Sequence, residues 1–410
     1  MSNARERCYN STMPRYPAPS ATCASLSAGV FSAVAERARH RTGPTYALHV
    51  GDTWREPLAA ARAESQRTDD VPLLHTYSPV QGEPPLLAAI HRRVHARTGL
   101  TLDPAAVQVT AGATSGLSVL CQTLLDPGDE VLLPAPFWPL IRGIIASRGA
   151  VPVQVPCYDR LRSPGFDLEA ALEAAITPRT VALYLNSPHN PTGVILTDDE
   201  AAAAARVARR HDLWVFSDEV YEELYLDGAA PTPLWTRPDL FERTFAAHSL
   251  SKGYGLAGAR VGYLHGPPGP MAAVRAVHTF QVYGAARPMQ LGAARALDEG
   301  EPWLTETRAL YAAAADAAAR ALGVPRPAGG TFLFFDASPW LPPGAANADA
   351  LLLRAIDQGV LLTPGAASGD AYARWVRLCF TTLPPDTLDE ALAHLRVALG
   401  DLAAERRGPA

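Results

Sequence analysis

Of the 36 lysine and arginine residues in this 410-residue chain, one is a lysine, Lys252, leaving 35 arginines. Guanidinium therefore meets almost every need for positive charge. What guanidinium cannot do is lose a proton and attack a carbonyl carbon, as Schiff-base chemistry requires of an amine. Lys252 lies in His248-Ser249-Leu250-Ser251-Lys252-Gly253-Tyr254-Gly255-Leu256-Ala257-Gly258-Ala259-Arg260, among small residues and between two apolar, strand-like segments. That setting suits a nucleophilic amine better than a stray surface charge.

Other residues able to do chemistry fall at the ends of strand-like runs. Asn186-Ser187-Pro188-His189-Asn190-Pro191-Thr192-Gly193 follows one run and Ser217-Asp218-Glu219-Val220-Tyr221 follows another. In open α/β sheets ligands bind beyond the carboxyl ends of the strands. Read singly, the first is a turn, and Asp218 is either a helix cap or the partner of a buried cation. Ala111-Gly112-Ala113-Thr114-Ser115-Gly116 leads small residues into a helix, the arrangement that presents backbone N–H groups to a phosphate. Arg377, flanked by apolar residues, is placed to meet a carboxylate with a half-buried head.

The elements that must position these residues follow from periodicity. Seven strand-like segments are expected: Ala106 to Thr110, Glu130 to Pro134, Val151 to Val155, Val181 to Asn186, Leu213 to Ser217, Thr244 to His248 and Arg260 to His265. Helical stretches such as Thr114 to Leu125, Leu168 to Ile176 and Asp198 to His211 separate most of them, which predicts an α/β fold with a mainly parallel sheet covered on both faces. The last two strands are too close for a helical crossover, so a non-standard connection is expected at the lysine loop. Tyr46 to Asp52 reads as a strand ending in a Gly turn, and Pro84 to Thr98 as an amphipathic helix. Beyond residue 288, a long helical region (Met289 to Leu322), strands at Gly330 to Asp336 and Trp375 to Phe380, and a final helix from Pro385 predict a smaller α+β domain. The expected organisation is a tail or arm over 1–40, with a helix over Ser25 to Arg41, then the first part of the small domain over 41–70. A large domain over 71–288 and the rest of the small domain over 289–410 complete it.

Composition narrows the function classes. A net charge of −5 gives no basic footprint for nucleic acid. No apolar run approaches the ~18 residues of a membrane span, and no apolar N-terminal core marks a signal peptide, so a cytoplasmic protein is expected. The cysteines (Cys8, Cys23, Cys121, Cys157, Cys379) form no CxxC pair, so neither a metal site nor a disulfide framework is expected. His91 and His95 are four apart, but Arg92 stands where a zinc-protease motif has Glu. Gly253-x-Gly255-x-x-Gly258 matches a dinucleotide pattern, but a strand rather than a helix follows it.

Taken in order, the phosphate-type turn, Asn190, Asp218, Lys252 and Arg260 resemble the fold-type I pyridoxal-phosphate enzymes. The match is to the class I/II aminotransferases of the aspartate aminotransferase superfamily, over about residues 43 to 400. The resemblance implies an amino group moved from an L-amino acid to a 2-oxo acid through an internal aldimine, a quinonoid and pyridoxamine phosphate. It implies that Lys252 carries pyridoxal 5'-phosphate and moves the Cα proton, and that Asp218 pairs with the pyridine nitrogen. Asn190 and Tyr221 would bond the ring's 3' oxygen, and Trp138 would stack on the ring. Gly112, Ala113, Thr114, Ser249 and Arg260 would hold the phosphate, and Tyr77 would reach the phosphate of the neighbouring subunit of a homodimer. Arg377, Gly51, Trp138 and Asn190 would hold the substrate, Arg377 by its α-carboxylate. Thr114 is neutral where dicarboxylate-using relatives often carry a basic residue. Arg287 and His278 stand as side-chain readers, whereas Phe137, Tyr46 and Tyr283 favour an apolar or aromatic side chain. The alternatives are a non-transaminating enzyme of the same fold (a C–S lyase, an amino-acid oxidase or hydroxylase, or a cyclase), a pyridoxal-phosphate-binding regulator, and a nicotinamide-dependent oxidoreductase.

Overall fold

A computed structural model describes Ser20–Ala24, Leu26, Arg37 and residues 41–407. The expected helix over Ser25 to Arg41 and the tail over 1–40 lie almost wholly outside the described residues. No helix among the described residues is long and apolar enough to cross a membrane.

The first strand among the described residues is the two-residue β1 (Tyr46–Ala47). The expected seven strands then follow as β2 (Val107–Thr110), β3 (Glu130–Ala135), β4 (Val151–Pro156), β5 (Thr180–Asn186), β6 (Trp214–Asp218), β7 (Thr244–Ser249) and β8 (Gly262–His265). They form one sheet in the order β2-β8-β7-β6-β5-β3-β4. Neighbours from β7 through β4 pair in parallel, and β8 runs antiparallel to both β7 and β2. The non-standard connection is therefore real: the lysine loop joins β7 to β8 as an antiparallel turn-back, because its length cannot hold a parallel crossover.

The central strands are apolar on both sides, and alternation divides their side chains between two cores. Val131, Leu133, Ala182, Tyr184 and Phe216 pack on one face with the helix Gly112–Leu124. Leu132, Leu183, Leu185 and Val215 pack on the other with the helix Asp198–Arg210. The latter helix begins where Thr197 and Glu200 satisfy each other's backbone N–H groups in a capping box. Asp218 has the parity of Tyr184 and Phe216, so the alternation that builds the core also aims its carboxylate.

A second body gathers β9 (Phe332–Asp336), β10 (Val360–Leu361), β11 (Thr363–Pro364), β12 (Trp375–Cys379) and the helix Pro385–Arg407. β11, β12 and β9 form an antiparallel sheet, and β1 pairs in parallel with β10, joining segments more than three hundred residues apart, Tyr46 opposite Val360. Three expectations change in detail. Tyr46 to Asp52 is a strand only over Tyr46–Ala47, because the backbone beyond it turns its carbonyls toward site residues. The strand expected from Arg260 starts at Gly262, because Arg260 adopts a left-handed conformation (φ 51°). The helical region after Pro288 breaks at Gly300, where a Cβ would lie 2.2 Å from the Ala296 carbonyl. Its first half, Arg287–Glu299, packs on Pro84–Thr98, and its second, Glu301–Leu322, reaches the core of the second body.

At Gly262 a Cβ would lie 2.5 Å from the His248 carbonyl and 2.8 Å from the Ala113 nitrogen, both backbone atoms. Gly262→Ala is therefore expected to lower the thermal midpoint in calorimetry. Gly400→Ala, in a helix interior with no heavy atom within 4 Å of the new Cβ, is expected to raise stability by about 1 kcal/mol.

Candidate active site

The carboxyl ends of β5, β6 and β7, the start of the helix Gly112–Leu124 and the facing edge of the second body enclose a cavity of about 320 Å³. Lys252, Asp218, Tyr221, Asn190, Ala113, Thr114, Trp138, Ser249, Arg260, Gly51 and Arg377 all line it. Gly112 lies behind its wall: a Cβ there would sit 2.5 Å from Arg260 Nη2, and its φ of +77° also favours glycine. Tyr77 is not in the cavity; it is 85% exposed, its ring 5.0 Å from that of Tyr283.

Asp218 ends β6 at the cavity floor. Its Oδ2 accepts a hydrogen bond from Tyr184 Oη at 2.5 Å and its Oδ1 one from the Val220 N–H at 3.2 Å. Burial raises its pKa from the usual carboxylate range to about 6, against the pull of these donors. Asn186 Nδ2 donates to the Asp218 carbonyl at 2.7 Å, and Asn186 Oδ1 accepts from the Asn190 N–H at 2.7 Å. The two strand ends are thereby locked together. Asn190 Nδ2 in turn donates to Tyr221 Oη at 3.3 Å.

Lys252 rises from the loop between β7 and β8, and its Nζ donates to the Gly51 carbonyl. Burial lowers the pKa of its amine, and Arg260 and Arg377 push the same way against Asp52 and Cys379. An amine so placed gives up its proton more readily than one in water. The loop is pinned from behind by buried ion pairs: Arg93 with Glu223 at 2.6 Å, Arg97 with Glu222 at 2.8 Å, and His248 with Glu222 at 2.7 Å. Glu223 Oε1 also accepts from Tyr254 Oη at 3.3 Å. Arg260 spans the loop, donating to the Ala257 carbonyl at 2.9 Å and to Ser251 Oγ at 3.4 Å.

Arg377, on β12, is held on several sides. Its Nη1 donates to Asn190 Oδ1 at 3.2 Å, and its Nη2 to the His49 carbonyl at 3.0 Å and to Thr363 Oγ1 at 3.2 Å. Its guanidinium carbon lies 4.2 Å from the centre of the Phe332 ring. Arg377 Nε is buried with no hydrogen-bond partner among the described residues. A buried, oriented donor of that kind suits a carboxylate. Gly51 is needed beside it, since a Cβ there would lie 2.5 Å from Phe332 Cζ.

The match to known proteins decides the family. The model of the family described as aminotransferase class I and II matches residues 46–395. The chain belongs to this family. It is 35% identical over 337 residues to an arginine–pyruvate transaminase of Pseudomonas aeruginosa, covering 80% of this chain and 84% of that one. It is 36% identical over 340 residues to a probable N-succinyldiaminopimelate aminotransferase of Mycobacterium tuberculosis, covering 79% and 85%. The solved N-succinyldiaminopimelate aminotransferase of Mycobacterium tuberculosis superposes with a TM-score of 0.84 at 31% identity, over 93% of this chain and 100% of that one. Aspartate aminotransferase of Thermus thermophilus with maleate does so at 0.81 and 28%, over 95% and 100%. The fold is thus that of the fold-type I enzymes, and the protein is a pyridoxal-phosphate-dependent aminotransferase.

The site of this aminotransferase fits the cofactor. A buried acid suits a pyridine nitrogen, an amine of lowered basicity suits an aldehyde, and Arg260 beside a helix start suits a phosphate. Sequence reasoning missed Tyr184, Ser251, His49, Phe332, Thr363, Val50 and Leu140. Strand alternation puts Tyr184 and Asn186 on one face, but the register that brings Tyr184 to Asp218 is a tertiary fact. Two expected side-chain readers are otherwise engaged: Arg287 pairs with Glu83 at 3.1 Å and donates to Thr76 Oγ1 at 3.0 Å, and His278 is buried beside Gln108.

Lys252→Ala is expected to leave no cofactor attached after borohydride reduction, read by intact mass, since no second lysine exists. A pH dependence follows from Asp218. Its folded pKa of about 6 lies above the unfolded value of about 3.9. Its contribution to stability is therefore present below pH ~4 and lost as pH rises through ~6. In cofactor-free protein, Asp218→Asn is expected to gain stability relative to wild type between those limits, as read by urea denaturation.

Proposed function

We propose that this aminotransferase accepts an L-amino acid with its α-carboxylate on Arg377 and its amino group toward Lys252, and passes that amino group to a 2-oxo acid. The observation that carries this reading is the meeting in one cavity of the sole lysine, an orphaned guanidinium N–H and a buried acid. Bound there, pyridoxal phosphate supplies an electron sink for the charge left when the substrate Cα loses its proton.

The chain's residues supply the rest. Arg377 is the substrate anchor, oriented by Asn190, Thr363, the His49 carbonyl and the Phe332 ring. Lys252 would carry the cofactor and, with its amine freed, would be the base for the substrate Cα proton. The lowered basicity of its amine suits it to both tasks near neutral pH. Asp218 would hold the proton of the cofactor's ring nitrogen, with the Tyr184 hydroxyl favouring the ionised carboxylate. Asn190 and Tyr221 would hold the ring's oxygen, and Trp138 would cover the ring. Gly112, Ala113 and Thr114 offer helix-start N–H groups to the phosphate, with Ser249 and Arg260 completing the cradle.

The functional unit in this reading is a homodimer. Leu73, Tyr77, Phe280 and Tyr283 are apolar or aromatic residues with exposures of 74%, 85%, 92% and 48%, and such a face calls for a partner. Tyr77 would reach the second copy's phosphate. The seven-stranded body is the large domain and the sheets β1–β10 and β11-β12-β9 belong to the small one. The cysteines described, Cys23, Cys121, Cys157 and Cys379, are all thiols, which suits the cytoplasm.

Single L-amino acids added to the holoenzyme without an acceptor are expected to yield one equivalent of 2-oxo acid per site and no ammonia. Sustained ammonia release would instead favour a lyase or oxidase on this scaffold. Sedimentation equilibrium is expected to give twice the chain mass, and Tyr77→Phe to weaken cofactor binding. A monomer with undiminished cofactor affinity contradicts the shared site.

A further inference from the structure

Once the cofactor and the α-carboxylate are provided for, the rest of the cavity describes the substrate's side chain. The charged side chains lining it are Asp218, Lys252, Arg260 and Arg377. Asp218 is taken by Tyr184, and Arg377 by the α-carboxylate. Lys252 and Arg260 belong to the cofactor end. His49 is the other titratable base in the wall, and burial together with Arg377 lowers its pKa, which favours the neutral ring at neutral pH. Among the described residues, nothing in this lining remains to pair a distal carboxylate, and no second carboxylate waits for a distal guanidinium.

The mouth of the cavity is apolar. Val50, just before Gly51, and Leu140, in the first turn of the helix Pro139–Ala146, both line it, yet they are 45% and 47% exposed. Large aliphatic side chains left open at the rim of a pocket mark a surface meant to be covered by something apolar. On the face assigned to the second copy, Arg287 is not a spare cation, because it is held by Glu83, Thr76 and the Leu73 carbonyl.

We infer that the amino donor carries an uncharged, apolar side chain, aliphatic or aromatic, received between Val50 and Leu140. This rests on the transaminase reading above and adds the substrate class to it. A charged side chain would have to leave water for a wall with no counter-charge, whereas an apolar one gains by burial. Discrimination of about 100-fold follows from differences of this kind in a pocket.

The test is the half-reaction of the holoenzyme, followed by the cofactor's absorbance with L-leucine, L-phenylalanine, L-methionine, L-aspartate, L-glutamate and L-arginine. The apolar donors are expected to convert it with kcat/KM about 100-fold above the charged ones. Leu140→Ala is expected to raise KM for L-phenylalanine about tenfold with kcat nearly unchanged, and Leu140→Arg to narrow or reverse the ranking toward L-glutamate. Leu140 is half exposed, so neither change threatens folding. L-Aspartate, L-glutamate or L-arginine reacting fastest with wild type overturns the inference while transamination stands. Unchanged constants in both Leu140 variants overturn Leu140 as the side-chain contact. Ammonia released together with more than one equivalent of 2-oxo acid per site overturns the transfer reading, and the ranking of donors still decides the side-chain class.

Discussion

A carboxylate buried at the end of a central strand sets the terms for the rest of this structure. Asp218 has little water to solvate it, and burial alone would drive it neutral. The fold answers with donors from two directions, Tyr184 across the sheet and the Val220 N–H beyond the strand end. The Tyr184 donor is in place only because β5 and β6 lie in register, Tyr184 opposite Phe216 and Asn186 opposite Asp218. A slip of one residue would turn Tyr184 into the opposite core. The apolar packing of the sheet and the ionisation of its functional acid are thus one constraint.

The same economy governs the lysine loop. The Lys252 side chain is long and can turn about its methylenes, whereas its backbone is held on two sides. β7 and β8 hold the loop's ends antiparallel, and the Arg93–Glu223 and Arg97–Glu222–His248 pairs hold its back. Removing one member of such a buried pair leaves a charge without compensation, which costs more than the pair itself contributes. The mobile part is left to the lysine's four methylenes. Glycine enters where backbone must approach backbone, at Gly262, and where it must approach a ring, at Gly51.

The second body closes the cavity from the other side. β1 and β10 bring distant segments of the chain together, so that the His49 and Gly51 carbonyls face Arg377 and Lys252. Residues more than three hundred positions apart thereby share one guanidinium. Carbonyls that a longer strand would have spent on its own ladder serve the site instead, which is why β1 is only two residues long.

The sequence by itself determined a good deal. The uniqueness of Lys252 singled it out among 36 basic residues, and the structure places it in the wall of the cavity. The local pattern placed all seven strands to within two residues at either end, because short apolar runs and Gly/Pro punctuation are short-range signals. Motif order brought together the residues that line the cavity, since strand ends in an open sheet converge on one side. Only the tertiary structure decided the rest. Tyr184, Phe332 and Thr363 are an ordinary strand tyrosine, phenylalanine and threonine until cross-strand register and the meeting of two bodies set them against Asp218 and Arg377. Arg287 looks like a free substrate reader until Glu83, far away in sequence, is seen to hold it. The neutrality and apolar rim of the side-chain end are sums over residues from distant segments. Local sequence carries no record of such sums, because what decides them is which charges are left unpaired once everything else is in place.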